Sequence, residues 1–337
     1  MSARHPHVGR RRRAALVALG VLALVVVGCS GDGGDGGDAG SEPGGTGQGG
    51  ELSVLAYNVA GLPAEVSGED PEAHIPLISP RLDDFDVVLT QEDFDWWGEA
   101  AGALDFVHYH ERLRADVTHE HRSPAHPGPE AVDLPADRLP MLQVGDGLGV
   151  LSRFPIEGDT RVPWVGCFGG IDTADGGAGD CLAMKGFQVT RLQLADGMEV
   201  DLYNLHAEAG GTEADQALQA DGYEQLAAFM AEHSEGRAVI LGGDTNLHTD
   251  DVHPDGSDGA DTEIWARFLD ATGLTDACDA TGCPEPGRID KAAVRSGGGV
   301  ELEVVSHRFL GDRFVDGDGE PLSDHEPLEV RIRWRPT

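Results

Sequence analysis

Ala238-Val239-Ile240-Leu241-Gly242-Gly243-Asp244-Thr245-Asn246 is an apolar run that stops abruptly at a carboxylate and a carboxamide two residues apart. A run of this length bounded by glycines reads as a buried strand, and residues just past its end project into a cleft. Asp244 and Asn246 then share a side. A carboxylate there polarises a water or ligates a hard cation, and an amide offers a donor and an acceptor to a phosphate oxygen without adding charge. Taken alone, the stretch reads equally as an Asx-rich turn closing a core strand. Its meaning depends on the segments around it.

Several other strands end in the same way. Leu52 to Asn58 alternates and delivers Asn58 before Gly61-Leu62-Pro63 breaks the strand, and Asp86 to Glu92 again ends on an acid. Leu148 to Ser152 is a short buried strand followed by Arg153, which faces either a phosphate or a surface acid. Lys185-Gly186-Phe187 opens the strand Gln188 to Leu194, and Lys185 is either a site cation or an ordinary exposed lysine. Met198 to Asn204 leads into His206, placed to donate to a phosphoryl oxygen or to serve the fold. Tyr223, Leu226, Ala227 and Met230 keep helical spacing, so about Thr212 to His233 forms an amphipathic helix. A second helix, Thr262 to Thr272, turns Ile264, Phe268 and Ala271 inward before Gly273. Arg288-Ile289-Asp290 precedes the strand Val300 to Ser306. Ser323-Asp324-His325 precedes a final alternating strand of Leu328, Val330, Ile332 and Trp334. An Asp beside a His can orient the imidazole as a base, provided the chain turns there.

Two loops are rich in potential ligands. His108, His110, His119, His121 and His126 form a histidine cluster without a zinc motif, and its default reading is a solvated loop over the cleft. Asp250 to Asp261 is acidic and glycine-rich but lacks the calcium hand-loop pattern, so it too reads as solvated.

The N-terminus reads as an export signal. Arg10 to Arg13 precede an apolar run, Ala14 to Val27, that is shorter than the roughly 20 residues of a membrane-spanning helix. Val26-Val27-Gly28-Cys29 resembles the bacterial lipobox, which implies a signal peptide over 1–28 and lipidation of Cys29, hence a membrane anchor. Residues 29–50 are mostly glycine and aspartate and form a tether, and 51–337 form one folded domain. The chain of 337 residues carries a net charge of −36, and its first 28 residues hold five arginines and no acid, so the remainder stands at −41. Such a field either repels nucleic acid, which no basic run with interleaved aromatics offsets, or serves only to keep the protein soluble. The four cysteines beyond Cys29 form an even set in an exported chain. Their spacing favours disulfides Cys167–Cys181 and Cys278–Cys283.

In order, Asn58, Gln91-Glu92, Ser152-Arg153, Asn204 to His206, Gly243 to Asn246, Arg288-Ile289-Asp290 and Ser323-Asp324-His325 resemble the endonuclease/exonuclease/phosphatase superfamily. The resemblance implies a deoxyribonuclease-like four-layer α/β/β/α sandwich of two mixed sheets. It also implies Mg2+-dependent (or Mn2+- or Ca2+-dependent) hydrolysis of a phosphodiester or phosphomonoester. By position, Glu92 would be the metal ligand, helped by Asn58. His325 would be the general base, oriented by Asp324, which otherwise touches the metal. Asp244 would position the water, Asn246 and His206 would stabilise the transition state, and Asp290 would support His206. Leu205, Ala207, Thr245 and Lys291 depart from the superfamily's usual residues at their positions.

Asn58 to Pro63, the cysteine-bounded loop before Lys185-Gly186-Phe187, and His206-Ala207-Glu208 are similar to bacterial neutral sphingomyelinases. That implies a phospholipid headgroup as substrate. The aromatic-tipped membrane hairpin of such enzymes is not evident in the interval holding Phe309 and Phe314; Trp96-Trp97 either substitutes for it or is core. The expectation is a monomeric, lipid-anchored extracytoplasmic phosphodiesterase. The alternatives are an envelope nuclease or phosphomonoesterase, or a catalytically silent surface binding module.

Overall fold

The computed structural model describes residues 49–62, 64–94, 109–126, 145–168, 180–249 and 258–337. The export signal, Cys29 and nearly all of the tether lie outside these residues, as do Trp96-Trp97, His108, the interior of the Cys167–Cys181 loop and residues 250–257. Among the described residues no helix is long and apolar enough to cross a membrane.

The described strands form two mixed sheets of six. The first contains β1 (Gly50–Asn58), β2 (Val87–Gln91), β3 (His121–Arg122), β4 (Gly149–Ser152), β11 (Val300–Phe309) and β12 (Leu328–Pro336), in the order β11-β12-β1-β2-β4-β3. The second contains β5 (Ile156–Pro163), β6 (Gly186–Ala195), β7 (Met198–His206), β8 (Ala238–Asp244), β9 (Thr275–Asp276) and β10 (Asp290–Arg295), in the order β5-β6-β7-β8-β10-β9. β1 runs parallel to β2, and β7 parallel to β8.

Both faces of each central strand are covered, which is why these strands read as nearly continuous apolar runs. Along β1, Leu52, Val54 and Ala56 face the other sheet, where they meet Leu202 and Ile240, while Leu55 and Tyr57 face the opposite way. There they pack with Ile75 and Ile78 of α2 (Pro71–Ile78) and with Leu113 of α3 (Tyr109–Leu113). On the far side of the second sheet, Val239 and Leu241 pack under α4 (Glu213–His233) and α5 (Asp258–Thr272). The result is the α/β/β/α sandwich.

α4 starts where a capping box allows: Thr212 accepts from Asp215 N–H, and Asp215 accepts from Thr212 N–H. α5 begins earlier than the spacing suggests and turns Ile264, Trp265 and Phe268 inward, whereas Ala271 is exposed. One polar pair crosses the mid-plane near the strand ends. Gln91 Nε2 donates to Asn204 Oδ1 at 2.6 Å, and Asn204 Nδ2 donates to the carbonyls of Thr90 and Gly149. Both disulfides expected from spacing are formed, Cys167–Cys181 and Cys278–Cys283.

Candidate active site

Sheet register brings the polar strand ends to one edge of the sandwich. Asn58 is level with Gln91, so Glu92 follows directly beside it. In the second sheet His206 and Asp290 are both level with Asp244. Gly243 makes this possible: its φ is +145°, and a Cβ there would collide with the Leu205 carbonyl. Ser323 Oγ donates to the Asn58 carbonyl and accepts from His325 N–H, which turns the chain before β12 and carries the imidazole over the same edge.

Asn58 sits at the centre. Its Nδ2 lies 3.2 Å from Glu92 Oε1, 3.1 Å from Asp244 Oδ2 and 3.4 Å from His325 Nε2. Its Oδ1 accepts from Ala60 N–H, and that contact fixes which end of the amide is which. The Asn58 amide nitrogen is therefore a donor bridging two carboxylates, while its oxygen is engaged by Ala60 N–H. His206 Nε2 lies 3.4 Å from Asp244 Oδ2 and His325 Nε2 3.7 Å from the same atom. Asn246, with φ +48°, donates its N–H to Asp244 Oδ1 and its side-chain amide to the Ala207 carbonyl.

The orienting carboxylate of His325 is a correction to the sequence reading. Its Nδ1 lies 2.9 Å from Asp290 Oδ2, so Asp290 serves His325 and not His206. Adjacent Asp324 is exposed, and its carboxylate accepts from Ser323 Oγ at 3.3 Å. Arg153 falls at the wrong end: β4 runs antiparallel to β2 with Ser152 opposite Val87, and Arg153 bonds the carbonyls of Phe85 and Asp83. Lys185 does belong here. It is held by Asp180 and the Ala207 carbonyl, with Glu92 and Asp244 among the charges acting on it. Asp180 left no signal in the sequence beyond its place before Cys181.

The histidine-rich stretch is not a solvated loop. His110 and His119 are buried, and the histidines go to separate partners: His110 to Asp93 at 3.1 Å, His119 to the Phe85 carbonyl and Asp83, and His126 to Asp146 at 3.9 Å. They form no metal cluster among the described residues. Near the site, Phe314 is buried against Tyr57 and Phe85, and Phe309 lies under the Arg288 guanidinium. Neither is a free aromatic tip.

Burial raises the pKa of Glu92 and of Asp244, and nearby His325 lowers both in part. Burial alone would lower the His325 ring, yet Asp290 and Asp244 outweigh it and raise its pKa to about 10. His206 is lowered well below its ordinary value by burial and by the charges of Lys185 and His325, so it is neutral, and its Nδ1 has no hydrogen-bond partner. A hard divalent cation fits this donor set. Glu92 and Asp244 are crowded anions disfavoured by burial, and Asp244, Asp290 and His325 present ligand atoms within 4.8 Å of one another.

The sphingomyelinase of Mycobacterium tuberculosis (strain H37Rv) is 32% identical over 305 residues, covering 85% of this chain and 53% of that protein, so this chain spans about half the length of that relative. In fold, the chain is similar to sphingomyelinase C from Streptomyces griseocarneus (TM-score 0.53, 19% identity, 83% of this chain and 99% of that one). It is likewise similar to a mutant beta toxin from Staphylococcus aureus with bound magnesium ions (TM-score 0.54, 16% identity, 83% and 99%). The profile of the Endonuclease/Exonuclease/phosphatase family matches residues 55–325, which span both sheets and every residue of the cluster around Asn58. The chain is a member of that family.

Proposed function

We propose that this protein is an extracytoplasmic, divalent-metal-dependent phosphodiesterase that cleaves a phospholipid headgroup by in-line attack of water. The observation that carries this reading is the convergence of Glu92, Asp244, His206 and the Asp290–His325 pair around one amide, Asn58. The relatives named as sphingomyelinases support a phosphocholine lipid as the substrate. The charge of −41 beyond residue 28 favours a zwitterionic headgroup over a nucleic acid.

In this mechanism His325, oriented through its Nδ1–H by Asp290, is the general base at Nε2; a cation beside Asp244 would offset the carboxylate charge that otherwise keeps the ring protonated, leaving Nε2 free to take a proton from water. Asp244 Oδ2, between the two imidazoles, orients that water. Neutral His206, with the Asn246 amide, supplies uncharged N–H donors to the phosphoryl oxygens. Mg2+ (or Mn2+ or Ca2+), held by Glu92 with Asp244 nearby, would polarise the phosphoryl group and offset its developing charge. A cavity of about 690 Å³ opens beside His325, lined in part by Phe309, Leu310 and Pro327, with room for the rest of the substrate. The same proposal includes a signal peptide over 1–28, lipid anchoring through Cys29, a tether to residue 50, and action as a monomer.

The test is hydrolysis of phosphocholine lipid vesicles beside plasmid DNA and a phosphomonoester, with and without chelator. Chelator-sensitive headgroup release that Glu92→Gln abolishes is the expected result. Turnover of DNA alone, or activity indifferent to chelator, defeats the reading.

A further inference from the structure

Glu92 has a backbone φ of +53°, a left-handed conformation that a residue with a Cβ adopts only where its surroundings impose it. Those surroundings are the side chain of the next residue. Asp93 is buried, and its N–H donates to the Gly147 carbonyl at 2.9 Å. Its carboxylate accepts from Thr90 Oγ1 at 3.0 Å, and it is ion-paired to Arg114 at 2.6 Å and to His110 at 3.1 Å. Arg114 is braced in turn by the His110 carbonyl. Position 149 is glycine for a reason on the same spot: a Cβ there would collide with Arg114 Nη2, Thr90 Oγ1 and Asp93 Oδ2 together. The residues before and after Glu92 are thus anchored independently, Gln91 by Asn204 and Asp93 by the Thr90–Arg114–His110 set.

We propose that Asp93 and Arg114 form a clamp that holds Glu92 in its left-handed conformation and so aims its carboxylate at the cation the site takes. Asp93 is a positioning residue: both of its oxygens are turned to partners behind the strand. The arrangement places a second buried acid beside Glu92 without adding an uncompensated charge to the site, because Arg114 and His110 compensate it from behind. The inference rests on the reading of Glu92 as the cation ligand.

The test uses Mn2+ as the probe, with free ion followed by electron paramagnetic resonance, alongside melting and steady-state hydrolysis. Asp93→Asn and Arg114→Met are expected to weaken Mn2+ binding about 10- to 100-fold and to lower kcat with KM unchanged. Arg114→Lys, which keeps the cation, recovers part of both. Gly149→Ala reproduces the loss by crowding the clamp. Should Asp93→Asn not fold, Arg114→Lys and Thr90→Val, which keep bulk and remove single contacts, decide the matter by the same binding measurement. Variants that melt lower yet bind Mn2+ as the wild type does, well below their melting range, overturn the inference, as does a wild-type chain that binds no Mn2+. A wild-type chain that binds Mn2+ and hydrolyses no phosphodiester defeats the hydrolase reading instead, and the clamp is still judged on binding.

Discussion

Asp290 Oδ2 lies 2.9 Å from His325 Nδ1, while Asp324, bonded to His325 through the chain, points its carboxylate elsewhere. Orientation of the imidazole thus comes from the second sheet, 35 residues earlier in the chain. Asp290→Asn is expected to lower kcat by about 100-fold or more, because the amide no longer fixes the protonated Nδ1. Asp324→Asn is expected to leave the rate nearly unchanged. Headgroup release measured side by side for the two variants checks this.

The buried histidines give stability a defined pH dependence. His119, His126 and His307 titrate below their ordinary value because burial disfavours the charged ring. Their contribution is present above about 6.5 and is lost as pH falls through the lower folded-state values. His325 has the opposite sign: raised to about 10, its contribution is complete below about 6.5 and lost as pH rises through 10. Urea midpoints measured in chelator should therefore fall on both sides of neutrality. His119→Gln should shrink the acid limb and Asp290→Asn the alkaline one.

Removing divalent ions should abolish hydrolysis without unfolding the protein, since both sheets are closed by apolar packing that does not depend on the site. Restoring Mg2+ at about 100 times its Kd should raise stability by about 2.7 kcal/mol. Glu92→Gln should erase most of that gain. Calorimetric melting with and without the ion reads it directly.

The two disulfides should differ in weight. Cys167–Cys181 closes 14 residues and Cys278–Cys283 closes five. Loop-closure entropy puts their contributions at about 3 and about 2 kcal/mol. Denaturation of the paired serine variants, Cys167→Ser/Cys181→Ser against Cys278→Ser/Cys283→Ser, should rank them in that order.

The polar tips of the strands were legible because each central strand is an apolar run whose end is marked by a change of chemistry, as at Asn58, Glu92, His206 and Asp244. What the sequence could not supply was direction and partnership. Arg153 follows a strand that looks like the others, and only its antiparallel pairing with β2 sends it to the far end. Asp290 was matched to the wrong histidine because Asp-Lys-Ala-Ala-Val-Arg, with three charges and two alanines, does not announce the strand β10 that it opens. The histidine-rich stretch looked solvated because the carboxylates that bury its rings, Asp83, Asp93 and Asp146, lie in other segments. Nothing in the sequence says that the Asn58 amide nitrogen reaches across the two sheets to bridge Glu92 and Asp244.

The reacting groups are shared between the two halves of the sandwich: Asn58, Glu92 and His325 flank strands of one sheet, His206, Asp244 and Asp290 end or begin strands of the other. Neither layer alone carries the full set, so the cluster exists only once both are in place. The Gln91–Asn204 bond at the seam is then an alignment pin, and a slip of one layer past the other by the rise of a single residue, about 3.3 Å, would dismantle the cluster while leaving every strand intact.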